Sequence, residues 1–101
     1  MSFISTIIPT LNRPVGLASA VTSILKQKHQ PDELIIVDQS LDELSYKAVK
    51  DIYSTFDVAP KLVYLHEPKV RGLIEAKQRG VEVAKGDIIS FLEDDVVLHP
   101  R

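Results

Sequence analysis

The sequence predicts an α/β fold, a Rossmann-like parallel sheet with alternating strands and helices, and three observations predict it. Four short apolar runs rich in Ile and Val are separated by three stretches whose apolar residues recur at helical spacing. The runs are apolar almost throughout rather than at every second position, the pattern of strands buried on both faces in a parallel sheet. Polar and acidic residues gather just after the first, second and fourth runs, and in an open α/β sheet those ends share one rim, where ligands bind.

The first strand is Phe3-Ile4-Ser5-Thr6-Ile7-Ile8, stopping at Pro9, which cannot donate to a central ladder. In the loop Pro9-Thr10-Leu11-Asn12-Arg13-Pro14, Asn12 or Arg13 precedes a helix and Pro14 fits its first turn. Val15, Leu17, Ala18, Val21, Ile24 and Leu25 carry that helix, and the basic stretch from Lys26 to Pro31 ends it. Glu33-Leu34-Ile35-Ile36-Val37 is the second strand, running into Asp38-Gln39-Ser40. An amphipathic helix over 41–56 follows, with Ser40 or Asp42 near its start. The third strand spans 60–65, and Lys61 with His66-Glu67-Pro68 sets it towards an edge. Lys69-Val70-Arg71-Gly72 is a basic loop, and the helix from Leu73 ends at Lys85-Gly86. Gly80 inside that helix costs about 1 kcal/mol against Ala, which predicts a tight packing contact. Ile88 to Leu92 is expected to be a buried strand that delivers Glu93, Asp94 and Asp95.

Composition narrows the function. With 101 residues the chain makes one domain, and folding buries about 60–65% of the unfolded surface by size scaling. A net charge of -2 argues against nucleic acid as the main partner. The absence of cysteine excludes disulfides, thiolate metal sites and cysteine nucleophiles. No window reaches the ~18 apolar residues of a membrane span, and Met1 to Ser5 lacks the basic start of a secretory signal. The expected location is cytoplasmic, with membrane-peripheral attachment left open for a full-length protein.

Glu93, Asp94 and Asp95 repel one another unless solvated, protonated or neutralised by a cation, and hard oxygen ligands suit Mg²⁺ or Mn²⁺. A solvated turn is the bland alternative. The loop of Thr10, Asn12 and Arg13 joins a strand end to a helix start, where phosphate groups bind, although it lacks the Gly-rich spacing of a P-loop or dinucleotide fingerprint. Asp38 either accepts hydrogen bonds from a base or ribose or forms an Asx turn. Arg71 and Lys77 are cations able to face phosphate, or else part of a solvated helix face.

Five blocks in order, Ser5 to Arg13, Ser23 to Gln27, Leu34 to Ser40, Arg71-Gly72 to Gly80, and Ala84 to Asp95, resemble family 2 glycosyltransferases across essentially the whole chain. The resemblance implies half of a glycosyltransferase A fold. Residues 1–101 would form a single nucleotide-diphospho-sugar-binding domain, truncated after an Asp-x-Asp-type motif, that uses a nucleotide-sugar donor, most often a UDP-sugar, with Mn²⁺ or Mg²⁺. By the same resemblance, Pro9, Thr10, Asn12 and Arg13 match the loop beside the nucleotide, and Asp38 matches the acid that reads the base. Lys77 takes the place of a basic residue near the donor. Glu93-Asp94-Asp95 matches the motif, with Asp95 on the metal and Asp94 near the ribose or sugar. Gln39 stands where the family often has a second Asp, Glu93 replaces the usual first Asp of the motif, and Val70 stands where an Asn is common. The acceptor site and catalytic base lie in the family's following half, so no catalytic base is assigned here. Two alternatives are a catalytically silent nucleotide- or metal-binding module and a structural fragment that forms a homo-oligomer through its truncated sheet edge.

Overall fold

The computed structural model describes residues 2–94; Asp95 lies outside the described residues. Strands and helices alternate as β1 (Ile4–Thr10), α1 (Pro14–Leu25), β2 (Glu33–Asp38), α2 (Leu44–Ser54), β3 (Lys61–His66), α3 (Leu73–Val83) and β4 (Ile88–Phe91). The four strands form one parallel sheet in the order β3-β2-β1-β4. The chain first builds outward from β1 through β2 to β3 and then crosses back to place β4 on the other side of β1. That reversal opens a crevice at the carboxyl ends of β1 and β4.

Alternation along the strands divides the core. Ile8, Leu34 and Ile36 pack with Leu17, Val21, Ile24 and Val49 on the α1/α2 face, whereas Ile7, Ile35 and Val37 pack with Ala76 on the α3 face. Gly80 explains itself here: a Cβ would lie 2.6 Å from Ile7 Cγ2, so α3 approaches the sheet closely only with glycine at this point.

Three expectations are corrected. β1 runs through Pro9 to Thr10 because the Pro9 position faces β4, whose pairing has already ended at Ile7↔Phe91, so no ladder bond is lost. α2 begins only at Leu44 and ends at Ser54, since Asp42 accepts the Leu44 N–H in a local turn and Leu41 is exposed. β4 is not buried: it is an edge strand of four residues with Ile88, Ile89 and Phe91 45%, 36% and 42% exposed. An apolar run reports what a strand can bury, while burial itself depends on neighbours, and β4 pairs only with β1 among the described residues. β3 lies at the opposite edge, as Lys61 and His66 predicted. No helix among the described residues is long and apolar enough to cross a membrane.

Candidate functional site

The reversal crevice holds a cavity of about 480 Å³, within the roughly 300–1,000 Å³ range of small-molecule sites. One wall is the β1 end and its loop, Pro9, Thr10 and Arg13; another is the β4 end, with Phe91, Glu93 and Asp94. Gln39 after β2, and Gly72, Leu73 and Lys77 from the start of α3, close the third side. Hydroxyl, cationic and carboxylate groups therefore meet on a partly apolar floor.

The segment from Thr10 to Gly16 holds Asp94 in three ways. The Thr10 hydroxyl donates to Asp94 Oδ2 at 2.9 Å, and Arg13 Nε lies 3.5 Å from Asp94 Oδ1. Gly16, in the first turn of α1, leaves room for the Asp94 carbonyl oxygen, which would be only 3.0 Å from a Cβ placed there. Arg13 is 53% exposed and Asp94 13% exposed, so solvent screens their attraction and the pair contributes little to stability. Across the cavity the Lys77 ammonium sits 5.1 Å from the centre of the Phe91 ring, within cation–π range.

Asp38 and Gln39 divide two tasks. Asp38 is fully buried; its Oδ1 accepts the Ser40 N–H at 2.9 Å in an Asx turn, and its Oδ2 accepts the Tyr64 hydroxyl at 2.6 Å. Burial, and then the hydrogen bond and charge of Asp38, push the Tyr64 hydroxyl well above the usual tyrosine pKa, so it stays a neutral donor. Gln39 points to the opposite side and lines the cavity, its Nε2 donating to the carbonyls of Val70 at 2.9 Å and Gly72 at 3.2 Å. Asn12 adopts φ 54°, a left-handed conformation that asparagine tolerates, and its N–H donates to Ser40 Oγ at 2.7 Å.

Of the residues singled out from sequence, Pro9, Thr10, Arg13, Lys77, Glu93 and Asp94 come together on the cavity. Asn12 and Asp38 stand behind it as parts of its frame, and Asp95 lies outside the described residues. Arg71 is absent from the lining, and its N–H donates to Glu75. Sequence reasoning missed Gln39 as a lining group, although strand alternation after a buried Asp38 is a usable signal. It also missed Gly16 and Leu73, for which no local signal existed. No group of three or more His, Cys, Asp or Glu gathers among the described residues.

A parallel sheet that reverses at β1, with hydroxyl, cationic and carboxylate groups gathered in the crevice, defines a Rossmann-like α/β domain. The sequence matches the glycosyl transferase family 2 model over residues 5–101, and the chain belongs to that family. It is 33% identical over 95 residues to a glycosyltransferase of Haemophilus influenzae, covering 94% of this chain and 37% of that protein. Among solved structures it resembles the mannosyltransferase PcManGT from Pyrobaculum calidifontis in complex with GDP-Man and Mn²⁺ (TM-score 0.76, 27% identity, 95% of this chain and 28% of that one). It also resembles glucosyl-3-phosphoglycerate synthase from Mycobacterium tuberculosis in complex with Mn²⁺, UDP and phosphoglyceric acid (TM-score 0.70, 26% identity, 95% and 34%). These likenesses identify the sheet as part of a glycosyltransferase A fold. The chain spans about a third of the length of the proteins it matches.

Proposed function

We propose that this chain binds the nucleotide-diphosphate portion of a sugar donor, a UDP-sugar foremost, and supplies the donor site of a glycosyltransferase. The observation that carries the reading is the reversal crevice, where Thr10, Arg13 and Lys77 gather with Glu93 and Asp94 around one cavity. Arg13 and Lys77 offset diphosphate charge, and Pro9, Thr10 and Asn12 shape the loop beside the nucleotide. Asp94 lies near the ribose or sugar. Both amide hydrogens of Gln39 are committed to Val70 and Gly72, which leaves its carbonyl oxygen as the group it offers a ligand. An acceptor there pairs with the ring N–H of uracil or guanine and opposes the unprotonated ring nitrogen of cytosine. Asp38 serves the base only indirectly, by forming the turn that carries Gln39.

The residues are compatible with Mn²⁺ or Mg²⁺. Such ions take as few as one or two carboxylates, completing their shell with water and phosphate oxygens. Glu93 and Asp94 bring hard oxygen donors to the cavity edge, and Arg13, which lies 3.5 Å from Asp94, is half exposed. Asp95, with Asp94 alongside, would hold the divalent ion, which would supply Lewis-acid charge to the departing diphosphate.

The test is a thermal-shift panel of UDP-, GDP-, CDP- and dTDP-linked ligands with and without Mn²⁺, on the native chain and on Asp95→Ala. A uridine or guanosine ligand at a hundred times its Kd is expected to add about 2.7 kcal/mol, a rise of roughly 10 °C or more, only with metal and not in Asp95→Ala. A cooperatively melting protein that no ligand shifts would overturn the reading. A second reading, self-association through β4, is favoured by the exposed apolar residues Ile88, Ile89 and Phe91 on an edge strand. Light scattering that finds a strict monomer at high concentration removes it.

A further inference from the structure

We propose that Tyr64 is a positioning residue for the candidate site, acting through Asp38, Ser40 and the Asn12 amide on the turn that carries Thr10 and Arg13 to Asp94. Its consequence for ligands rests on the donor-site reading; the linkage itself does not.

Tyr64 lies on edge strand β3 and is not part of the cavity wall. Its ring is held edge-on against Tyr46, with centroids 4.9 Å apart, so the hydroxyl is aimed by packing. From that hydroxyl a continuous chain of bonds crosses the rim. It runs 2.6 Å to Asp38 Oδ2, then from Asp38 Oδ1 2.9 Å to the Ser40 N–H, then from Ser40 Oγ 2.7 Å to the Asn12 N–H. Asp38 and Ser40 are both fully buried, so water cannot replace a lost partner. His66 Nε2 holds the Ser40 carbonyl at 2.7 Å and keeps that residue in place from the β3 side.

The last link matters because Asn12 has φ 54°, a left-handed conformation that residues other than glycine adopt sparingly and that local bonds hold in place. Asn12 sits between Thr10 and Arg13, the two residues whose side chains meet Asp94. Weakening the bond that retains the left-handed turn lets the loop relax and moves both contacts. Tyr64 thus reaches the site through buried Asp38 and Ser40 and the Asn12 amide, without itself lining the cavity.

The decisive experiment is Tyr64→Phe in the ¹⁵N-labelled full chain, which removes the hydroxyl and leaves the ring. The Ser40 and Asn12 amide resonances should move, and the Asn12 N–H should exchange with solvent about tenfold faster. Tyr53→Phe, which loses a hydroxyl bonded to the Pro60 carbonyl, should leave both amides unchanged. An Asn12 amide in Tyr64→Phe that matches the native one overturns the proposal. Should Tyr64→Phe fail to fold, Asp38→Ala removes the acceptor that joins Tyr64 to Ser40, and the Asn12 amide again decides. Affinity for UDP with Mn²⁺ is expected to weaken about three- to tenfold in Tyr64→Phe, and unchanged affinity would also overturn the proposal. A native chain that binds no UDP counts against the donor-site reading, and the amide measurement still decides this one.

Discussion

The two rims of the sheet are built from similar residues to opposite effect. At the amino-terminal rim, Glu33 is 1% exposed and its Oε2 accepts both the Ser5 hydroxyl at 2.6 Å and the Lys85 N–H at 2.7 Å. Ser5 Oγ in turn accepts the Gly86 N–H at 2.8 Å, and Asp87 and Asp32 accept the N–H groups of Phe3 and Ile4. Nothing more fits there, since a Cβ on Gly86 would meet the Phe3 carbonyl oxygen at 2.7 Å and the Ser5 nitrogen at 2.8 Å. At the carboxyl-terminal rim a carboxylate also meets a hydroxyl, in Thr10 and Asp94, but its cation is half exposed and a cavity stands beside it. Buried, fully paired groups stabilise a fold; solvent-screened charges around a cavity can be recruited by a ligand at small cost.

The largest expected effect tests the closed rim. Glu33→Ala strands the Ser5 hydroxyl and the Lys85 N–H without an acceptor and should lower unfolding free energy by about 3 kcal/mol, a fall of roughly 15 °C in Tm by calorimetry. A loss below about 0.5 kcal/mol would mean that the two rims do not differ as described.

An intermediate effect comes from the tyrosines, one towards each rim. Burial raises the pKa of Tyr53 and, with Asp38, that of Tyr64 above the ordinary 10.0. The unfolded chain therefore loses these protons first, and the tyrosines' contribution to stability should be fully present below about pH 9 and lost as pH rises through 10 and above. Tyr53→Phe and Tyr64→Phe should each flatten part of that alkaline slope in urea denaturation. A slope identical to the native one in both variants would remove this account.

The smallest effect on stability sharpens the contrast between two glycines. Gly16→Ala lies in a helix, where alanine is favoured by about 1 kcal/mol, and asks the Asp94 carbonyl to give by only a few tenths of an ångström. Tm should stay within about 3 °C or rise, while metal-dependent UDP affinity falls several-fold because Asp94 is displaced. A loss of stability comparable to that of Glu33→Ala would show that the open rim is as tightly packed as the closed one.

Much of this fold was legible because its signals are local. Ile35, Ile36 and Val37 announce a strand buried on both faces, and Gly80 announces a close helix contact, here with Ile7. Thr10, Arg13, Glu93 and Asp94 fall together on one cavity because parallel strands send all their carboxyl ends to one rim. Other features had no local sign. β4 and β2 are similarly apolar in sequence, yet one lies at an edge and the other in the centre.

The sequence by itself determined the order of elements, the parallel sheet and the rim on which its polar groups collect, since each follows from periodicity, turn residues and chain direction. Tertiary structure alone decided which neighbours face the crevice. Asp38 turns towards α1 and α2 and is consumed by Ser40 and Tyr64, while Gln39, one residue on, turns towards α3 and lines the cavity. The physical reason is the two-residue period of a strand: a shift of one position exchanges faces, and only the packing of helices on both sides says which face is frame and which is site.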